Sequence, residues 1–378
     1  MRVLMITPGY YPIRGGTESI VEGLSVQLNR IGVSTDVLTF NMDKKWESKH
    51  CTKQEEVRGV KVIRVGAFNF ISRLPFSLHS VFNIHLVPTG FQKYLKDYDV
   101  LHYHEIELTF PFFSLFVKKP KILQPHEVFF GRFRKYGLTK SIYNHAADLY
   151  LAIGEQVKTE LLELGVPEGK IRRFPNSVDT DVFYPGRNKL RDTLLYVGRI
   201  IPSKGLHVLL KALEYLRRPV HLVVIGVPDW GSSYFRSVMQ LIDIVNGKGK
   251  HRVSYLGNVG QAELLEWYRK ASLFVFPSVN EPFGIVLLEA LASCTPVVST
   301  RSGGIPDAVK DGENALLIPE WNNPADLAEA VEHLLEDDAL RSRFGLNGRS
   351  WVCQNYSLDV AARNLRKIYE ELLGTITA

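Results

Sequence analysis

Residues 278–290 read S-V-N-E-P-F-G-I-V-L-L-E-A and place two carboxylates, Glu281 and Glu289, around the expected start of a helix. Proline suits the first helical position and disfavours helical dihedrals in the preceding residue. Pro282 therefore predicts that Glu281 lies in a loop and Glu289 about two turns into the helix. A helix over these eight residues would separate the carboxylates by ~12 Å along its axis and ~80° around it. The first-turn amides, together with the helix dipole, would face an anion. The separation of the two carboxylates suits the length of a nucleotide-diphosphate sugar.

The same stretch resembles the E-x7-E motif of the family 4 glycosyltransferases, retaining enzymes of the GT-B fold that take a sugar from a nucleotide donor. The resemblance implies that Glu281 lies at the donor hexose and that Glu289 accepts from the ribose. It also implies that backbone amides hold the diphosphate and the hexose hydroxyls, namely those of Phe283, Gly284, Ile285 and Val286. The alternative is a structural pair, with Glu281 capping the helix and Glu289 exposed on it.

The chain length of 378 residues exceeds what one hydrophobic core usually supports, so we expect two domains. Apolar residues make up 45% and charged residues 23% of the chain, as in soluble globular proteins. Its cysteines, Cys51, Cys294 and Cys353, are scattered and match no metal-binding spacing. This pattern favours reduced thiols in a cytosolic protein.

The N-terminal residues and the apolar stretches both bear on location. The chain begins with a strand pattern at 2–7 instead of a signal peptide, so we expect a cytoplasmic protein. Its longest apolar stretches, such as 109–117, fall short of the ~18–20 residues that a spanning helix needs. Any membrane contact would be peripheral, at the inner face of the cell membrane.

Strand-like runs alternate with helix-length segments along the whole chain, a pattern typical of parallel sheets covered by helices on both faces. We predict strands near 3–6, 36–40, 61–65, 100–103, 121–124, 149–153, 171–174, 194–197, 221–225, 253–256, 273–276, 297–299 and 315–318. The fold class is therefore α/β with two Rossmann-like, doubly wound domains, which the GT-B resemblance implies face a central cleft.

Turn-forming residues in 175–187 separate the two series of strands. We expect an acceptor-binding domain at 1–180 and a nucleotide-sugar-binding domain at 188–357. The resemblance implies that a C-terminal helix, about 358–378, packs back on the first domain. Ser177 stands where family members usually carry glycine in the N-G-V-D segment.

Gly15 and Gly16 lie in P-G-Y-Y-P-I-R-G-G-T-E, after the first strand and before a helical pattern at 19–31. Paired glycines let backbone amides approach a ligand closely, although a flexible surface loop would explain them equally well. The resemblance implies that this loop faces the diphosphate, so we predict a donor-binding role for both glycines.

Residues 196–205, Y-V-G-R-I-I-P-S-K-G, follow the first strand of the second domain and carry Arg199 and Lys204 to the carboxyl edge, where α/β sheets bind ligands. Two fixed cations can neutralise a departing diphosphate where other enzymes use a metal. The spacing resembles the family's pyrophosphate clamp, so we predict catalytic roles for both cations and no metal or other cofactor. Asp179 and Asp181 form a D-x-D match in the interdomain turn, which we attribute to local backbone hydrogen bonds.

His126 follows a predicted strand in Q-P-H-E, where a lone histidine is more often an ordinary polar group than a catalyst. The resemblance implies that it lies beside the transferred sugar and hydrogen-bonds it, so we include it among the catalytic residues. Glu127 would bind the acceptor or orient His126.

Residues 255–260, Y-L-G-N-V-G, resemble the family's base-binding turn, which implies backbone contacts from Asn258 and Val259 to the nucleobase. The segment 223–229 departs from the usual G-x-G-P pattern. The segment 302–307, S-G-G-I-P-D, resembles a family turn that we interpret as mainly structural.

Retention in glycosidases comes from a carboxylate nucleophile ~5 Å from its partner acid. The sequence indicates no residue of this chain as such a nucleophile. We therefore favour same-face substitution through an oxocarbenium-like state, in which the leaving phosphate takes the acceptor proton.

The net charge of +6 lies entirely in the first half, where residues 1–180 hold 24 Lys and Arg against 18 Asp and Glu. Seven basic residues and one acid occur in 118–140, together with four aromatic residues. This patch favours an anionic partner, either a membrane surface or a phosphorylated or lipid-linked glycan acceptor, at ~1 kcal/mol per basic residue near an anionic leaflet. A solvated basic face is the equally weighted alternative, and no nucleic-acid module accompanies the patch.

Two other protein classes compete for the chain as a whole. A sugar-nucleotide 2-epimerase shares the two-lobed fold but would not need the E-P-F-G segment beside the G-R-x4-K-G clamp. A two-lobed solute-binding protein would normally carry an export signal and would bind free sugar.

Overall fold

The structure is a computed structural model that describes residues 1–13, 15–42, 53–68, 87–88, 90–104, 117–127, 137–229 and 231–377. Contacts within the chain divide it into two compact units. Unit 1 contains Met1–Asn176 with Leu358–Ala378, and unit 2 contains Ser177–Ser357. Within the described ranges, no helix combines the length and the apolar character that crossing a bilayer requires.

The strands of the described residues are β1 (Arg2–Thr7), β2 (Ser34–Phe40), β3 (Lys53–Val57), β4 (Val60–Val65), β5 (Ala67–Phe68), β6 (Val87–Pro88), β7 (Val100–Tyr103), β8 (Lys121–Leu123), β9 (Leu149–Ala152), β10 (Ile171–Arg173), β11 (Thr193–Val197), β12 (His221–Ile225), β13 (Arg252–Gly257), β14 (Leu273–Phe276), β15 (Val297–Thr300) and β16 (Ala315–Ile318).

The α-helices of the same residues are α1 (Gly16–Arg30), α2 (Gln92–Leu95), α3 (Gly137–Ala146), α4 (Glu155–Glu163), α5 (Leu206–Ala212), α6 (Ser233–Gly247), α7 (Gln261–Lys270), α8 (Ile285–Ala292), α9 (Ile305–Ala308), α10 (Pro324–Glu336), α11 (Asp338–Asn355) and α12 (Leu358–Thr377). Short 3-10 segments occur at Glu168–Lys170, Pro202–Lys204 and Leu213–Tyr215.

Unit 1 is built on a sheet with the strand order β10-β9-β8-β7-β1-β2-β4-β3, and β5 pairs with β6 separately. Neighbouring strands are parallel except β3, which runs antiparallel to β4 at the edge. The apolar residues of β1 are fully buried, as expected for a strand covered on both faces. Helix α12 packs against α1, where Gln27 Nε2 donates to Asp359 Oδ1 at 3.2 Å.

Unit 2 is built on a wholly parallel sheet with the order β13-β12-β11-β14-β15-β16. The chain moves outward from β11 through β12 and β13 and then returns to β14 on the other side of β11. The strand order therefore reverses between β11 and β14. In α/β proteins, ligands bind beyond the carboxyl ends of strands at this point of reversal.

The predicted α/β class with two doubly wound parallel sheets is confirmed, and each of the predicted strands is present with bounds that differ by at most two residues. Strand β3 and the two-residue strands β5 and β6 were not predicted. Strand β3 is the longest of the three. Its sequence K-Q-E-E-V has no apolar run because it lies exposed at a sheet edge.

Candidate active site

Lys204 and Glu281 meet at the switch point of unit 2. Lys204 lies in the segment after β11, Glu281 lies in the segment after β14, and Lys204 Nζ donates to Glu281 Oε2 at 2.6 Å. Their side chains are only 12% and 13% exposed. Two residues 77 positions apart in the sequence thus form a nearly buried ion pair at the ligand-binding edge of the sheet.

Backbone and hydroxyl hydrogen bonds hold these two segments together. Ser278 Oγ donates to the carbonyl of Ser203 at 3.0 Å, and the amide of Val279 donates to the same carbonyl at 2.8 Å. Gly205 has φ +70°, and a Cβ there would meet the carbonyl oxygen of Pro277 at 1.8 Å, so only glycine fits. The position of Lys204 is therefore set by a close contact between the two loops.

The helix that carries Glu289 starts later than predicted. Pro282 does not begin it, because Gly284 is the N-cap with φ +91° and α8 starts at Ile285. A left-handed residue cannot continue a helix, so Pro282 and Phe283 belong to the preceding loop. Glu289 is consequently the fifth residue of α8, little more than one turn from its start, and the expectation of two turns was wrong.

The first turn of α8 leaves amides available to a ligand. Leu287 N donates to the carbonyl of Gly284 at 2.9 Å. Within the described part of the chain, no acceptor pairs with the amides of Ile285 and Val286. These N–H groups stand at the positive end of an eight-residue helix, an arrangement that favours an anion.

Glu289 is held by a residue that the sequence did not single out. Tyr268, near the end of α7, is fully buried and donates from its hydroxyl to Glu289 Oε2 at 2.7 Å. Burial raises the pKa of Glu289 to about 7, and the hydrogen bond from Tyr268 opposes that rise. Glu289 is therefore half-ionised near neutral pH. No local pattern links these two residues, because they lie 21 positions apart on different elements.

The other predicted donor-binding residues of unit 2 fall into exposed and buried groups. Arg199 is exposed in the segment after β11, and Asn258 is exposed in the turn after β13, beside the partly exposed Val259. Phe283 is buried, with its ring centroid 5.9 Å from that of Tyr356, so a ligand could reach only its main chain. The structure thus brings Lys204 and Glu281 into contact, whereas Arg199, Asn258 and Val259 form no hydrogen bond or ion pair with either of them in the described part of the chain.

The turn at 302–307 supports the loop of Glu281. Gly304 N donates to the carbonyl of Glu281 at 2.7 Å, and Tyr356 Oη donates to the carbonyl of Asp307 at 2.7 Å. These contacts agree with the structural interpretation of this segment.

Asp179 acts in a local turn. Its Oδ1 accepts from the amides of Asp181 at 3.0 Å and Val182 at 3.2 Å. This is the backbone bonding that aspartate commonly makes in turns.

In unit 1, Gly15 is the N-cap of α1 and Gly16 its first residue. The carboxylate of Glu18 folds back over Gly15, where an added Cβ would meet Glu18 Oε2 at 2.4 Å. Burial raises the pKa of Glu18, and the charge of Glu127 adds to that rise. In the structure a carboxylate therefore lies at the glycine pair where the sequence predicts a phosphate.

His126 is buried after β8, and both of its ring nitrogens face protein groups. Nδ1 lies 3.0 Å from Asn176 Oδ1, and Nε2 lies 3.1 Å from His104 Nδ1. Burial lowers the pKa of His126 to about 4. Glu127 beside it is exposed.

The basic stretch 118–140 is only partly described. Lys121 is buried at the start of β8, so it is not part of an exposed patch. Lys118 is exposed and Lys119 partly exposed. Arg132, Arg134 and Lys135 lie outside the described residues, as does the side chain of Lys140.

Comparison with known protein families accounts for nearly the whole chain. Residues 178–351 match the profile described as glycosyl transferases group 1, and residues 14–182 match glycosyltransferase family 4. The chain belongs to the family 4 glycosyltransferases. The family predicted from the sequence is thereby confirmed.

Individual relatives of this glycosyltransferase include an uncharacterized glycosyltransferase of Methanocaldococcus jannaschii, which is 27% identical over 99% of this chain and 100% of the relative. A D-inositol 3-phosphate glycosyltransferase of Corynebacterium jeikeium is 33% identical, but the match spans 60% of this chain and 58% of the relative.

Solved structures share the fold. Sucrose-phosphate synthase from Thermosynechococcus elongatus has a TM-score of 0.77 at 22% identity, covering 99% of both chains. The Anabaena protein HepE in complex with UDP-glucose has a TM-score of 0.74 at 16% identity, covering 98% of this chain and 100% of the other. At these identities the likeness establishes the fold alone.

Proposed function

We propose that this glycosyltransferase moves a hexosyl group from a nucleotide-diphosphate sugar to an acceptor hydroxyl, with retention of configuration and without a metal ion. The observation that carries the proposal is the ion pair of Lys204 and Glu281 at the switch point of unit 2, together with the open amides at the start of α8. This arrangement offers a cation, an anion-binding helix end and a hydroxyl acceptor to one ligand.

The donor would exchange partners with the ion pair. A sugar diphosphate ester carries two negative charges, which the ammonium of Lys204 and the amides of Ile285 and Val286 can neutralise. Glu281, released from Lys204, would then accept from hexose hydroxyls. The fold neighbour HepE, solved with UDP-glucose, supports a donor of this class.

The nucleoside end would rest on Glu289 and the turn after β13. The carboxylate of Glu289, oriented by Tyr268, would accept from the ribose hydroxyls. Backbone groups at Asn258 and Val259 would contact the base. Main-chain groups at that turn can serve more than one nucleobase.

The chemical step would break the bond between the anomeric carbon and the phosphate oxygen as the acceptor oxygen bonds to the same face of that carbon. The acceptor proton passes to the leaving phosphate, so no protein base is consumed. Lys204 and the exposed Arg199 would absorb the charge that develops on the diphosphate, which makes a metal ion unnecessary. His126 is the unit 1 residue to which we assign a catalytic role.

A phosphorylated or lipid-linked acceptor fits the excess positive charge of the first half of the chain. The relative named as a D-inositol 3-phosphate glycosyltransferase supports a phosphorylated acceptor. Binding to anionic vesicles at low salt, reduced by Lys118→Glu with Lys119→Glu, would place the acceptor at a membrane. Equal sedimentation with and without vesicles would rule out the membrane surface as the partner of this charge.

The test is product analysis with nucleotide sugars labelled in the hexose, using inositol 3-phosphate as acceptor probe, with and without acceptor present. We expect slow hydrolysis of the donor in the absence of acceptor and a new glycoside when the acceptor is added. The glycoside should have the anomeric configuration of the donor, and Lys204→Ala should abolish it while the exposed Lys211→Ala should not. An epimerised donor formed without acceptor would instead establish a sugar-nucleotide epimerase.

A further inference from the structure

Three histidines form a buried cluster in unit 1, at the carboxyl edge of β7 and β8. His102 and His104 are two residues apart at the end of β7 and therefore share one face of the sheet, and His126 follows the neighbouring β8. His102 and His104 are fully buried, and His126 is 9% exposed. Ring centroids lie 4.0 Å apart for His102 and His104, and 5.4 Å apart for His104 and His126.

The orientation of the Asn176 amide, with Oδ1 towards the ring, assigns which ring nitrogen of His126 carries the proton. Asn176 Oδ1 can only accept, so His126 Nδ1 donates to it over 3.0 Å. A neutral imidazole has a single N–H, and the Nε2 of His126 must then be an acceptor. His126 Nε2 accepts a hydrogen bond from the Nδ1–H of His104 at 3.1 Å. Both nitrogens of the His126 ring are thus used within unit 1.

Among the described residues, no carboxylate forms a hydrogen bond or ion pair with a ring of this cluster. His102 Nδ1 lies 2.7 Å from the hydroxyl of Tyr369 in α12. The ring of His104 packs against the ring of His102. Burial lowers the pKa of His102 to about 3 and that of His104 well below its ordinary value. The three rings are therefore neutral at pH 7, as the tautomer assignment requires.

We propose that His104 and Asn176 are positioning residues that engage both ring nitrogens of His126, so that His126 serves the reaction as an oriented neutral ring, with neither nitrogen free to hydrogen-bond the sugar or to act as a general acid or base. Its participation in the reaction rests on the proposed function. The locked tautomer is a property of unit 1 and can be measured without any turnover.

The direct test is ¹⁵N-histidine NMR of the full-length protein at pH 7, with the His126 signals assigned from their loss in His126→Gln. The lock predicts a neutral ring with its proton on Nδ1. A proton on Nε2, or a cationic ring, would overturn the proposal whether or not the protein transfers sugar.

Substitution of His104 tests whether its hydrogen bond to Nε2 of His126 contributes to turnover. Asparagine can place an N–H near the position of Nδ1, whereas phenylalanine keeps the planar shape without a donor. We expect His104→Phe to lower kcat about tenfold, ~1.4 kcal/mol, with donor KM within about twofold, and His104→Asn to recover most of that loss. In His104→Phe, Asn176 still accepts from Nδ1 of His126, so the proton should stay on Nδ1 while the ¹⁵N shift of Nε2 reports the lost hydrogen bond.

The control is His145→Phe on α3, an exposed histidine outside the cluster. If His104→Phe does not fold, Asn176→Leu removes the acceptor that holds the proton on Nδ1 of His126, so a mixture of both tautomers should appear. Full kcat in a folded His104→Phe or Asn176→Leu variant would contradict the positioning role. A bell-shaped pH profile that disappears in His126→Gln would contradict the absence of proton transfer.

Discussion

Lys204 Nζ and Glu281 Oε2 lie 2.6 Å apart across the point where the strand order of the second sheet reverses. The pair joins the segment after β11 to the segment after β14. Without a ligand the two charges pair with each other. We propose that a bound diphosphate sugar separates them, so that its phosphates contact the ammonium of Lys204 and its hydroxyls donate to the carboxylate of Glu281.

Replacement of Lys204 should separate the catalytic effect of the pair from its structural one. Lys204→Ala leaves Glu281 unpaired, and we expect about 1–3 kcal/mol lower unfolding free energy, below the value for a fully buried pair because both side chains keep some exposure. We also expect kcat to fall about 100-fold or more. Denaturant unfolding and steady-state kinetics measure the two effects.

The double variant Lys204→Met with Glu281→Gln provides the matched comparison. Removal of both charges should restore most of the stability while turnover stays low. Recovery of turnover together with stability would mean that the pair only supports the fold.

Gly284→Ala should damage the start of α8. Gly284 has φ +91°, and an added Cβ would meet Leu287 Cδ1 at 2.7 Å. We expect a loss of about 1–3 kcal/mol in stability and weaker nucleotide-sugar binding by calorimetry. Gly247→Ala in α6 is the control, because nothing lies within 4 Å of its added Cβ and alanine favours helix. Equal affinity in Gly284→Ala and wild type would show that the start of α8 does not contribute to donor binding.

Donor affinity should increase with pH through about 7. Glu289 has a pKa raised to about 7 by burial, and only its ionised form is a full acceptor for ribose hydroxyls. If binding needs the carboxylate, the ionised fraction predicts about tenfold tighter binding at pH 8 than at pH 6. UDP-glucose is a suitable probe because its diphosphate diester does not titrate in this range.

Two variants test that assignment. Glu289→Gln should make the affinity independent of pH. Tyr268→Phe removes the hydrogen bond that lowers the pKa of Glu289, so the midpoint should move to higher pH. An unchanged pH profile in Glu289→Gln would show that another group titrates.

Turnover should not depend on a divalent cation. Asp179 uses its carboxylate to accept two backbone amides, so Asp179→Ala should cost about 1 kcal/mol of stability without loss of kcat. A chelator should leave the rate unchanged. Manganese-dependent activity, lost in Asp179→Ala, would contradict the role assigned to Lys204 and Arg199.

Strands buried on both faces, such as β11 and β14, could be predicted because they appear as continuous apolar runs between turn residues. Strand β3 could not, because an exposed edge strand has no such run. The late start of α8 was missed because proline marks a helix start more visibly than a left-handed glycine does.

The sequence indicated candidate site residues one by one but not the contacts between them. Motif spacing identified Lys204 and Glu281 separately, and only folding brings them together. The partners of Glu289 and His126, namely Tyr268, His104 and Asn176, have no local sequence signal because each lies on another element.

We expect unit 2 to bind a nucleotide-diphosphate sugar through Lys204 and Glu281. The decisive experiment is a calorimetric titration of a panel of UDP-, ADP- and GDP-hexoses into wild-type protein and Lys204→Ala. We predict that at least one donor binds the wild type and that the Lys204→Ala affinity for it is at least about tenfold weaker, ~1.4 kcal/mol. Equal binding of that donor to both proteins, or binding of none of the panel, would show that this ion pair is not a donor site.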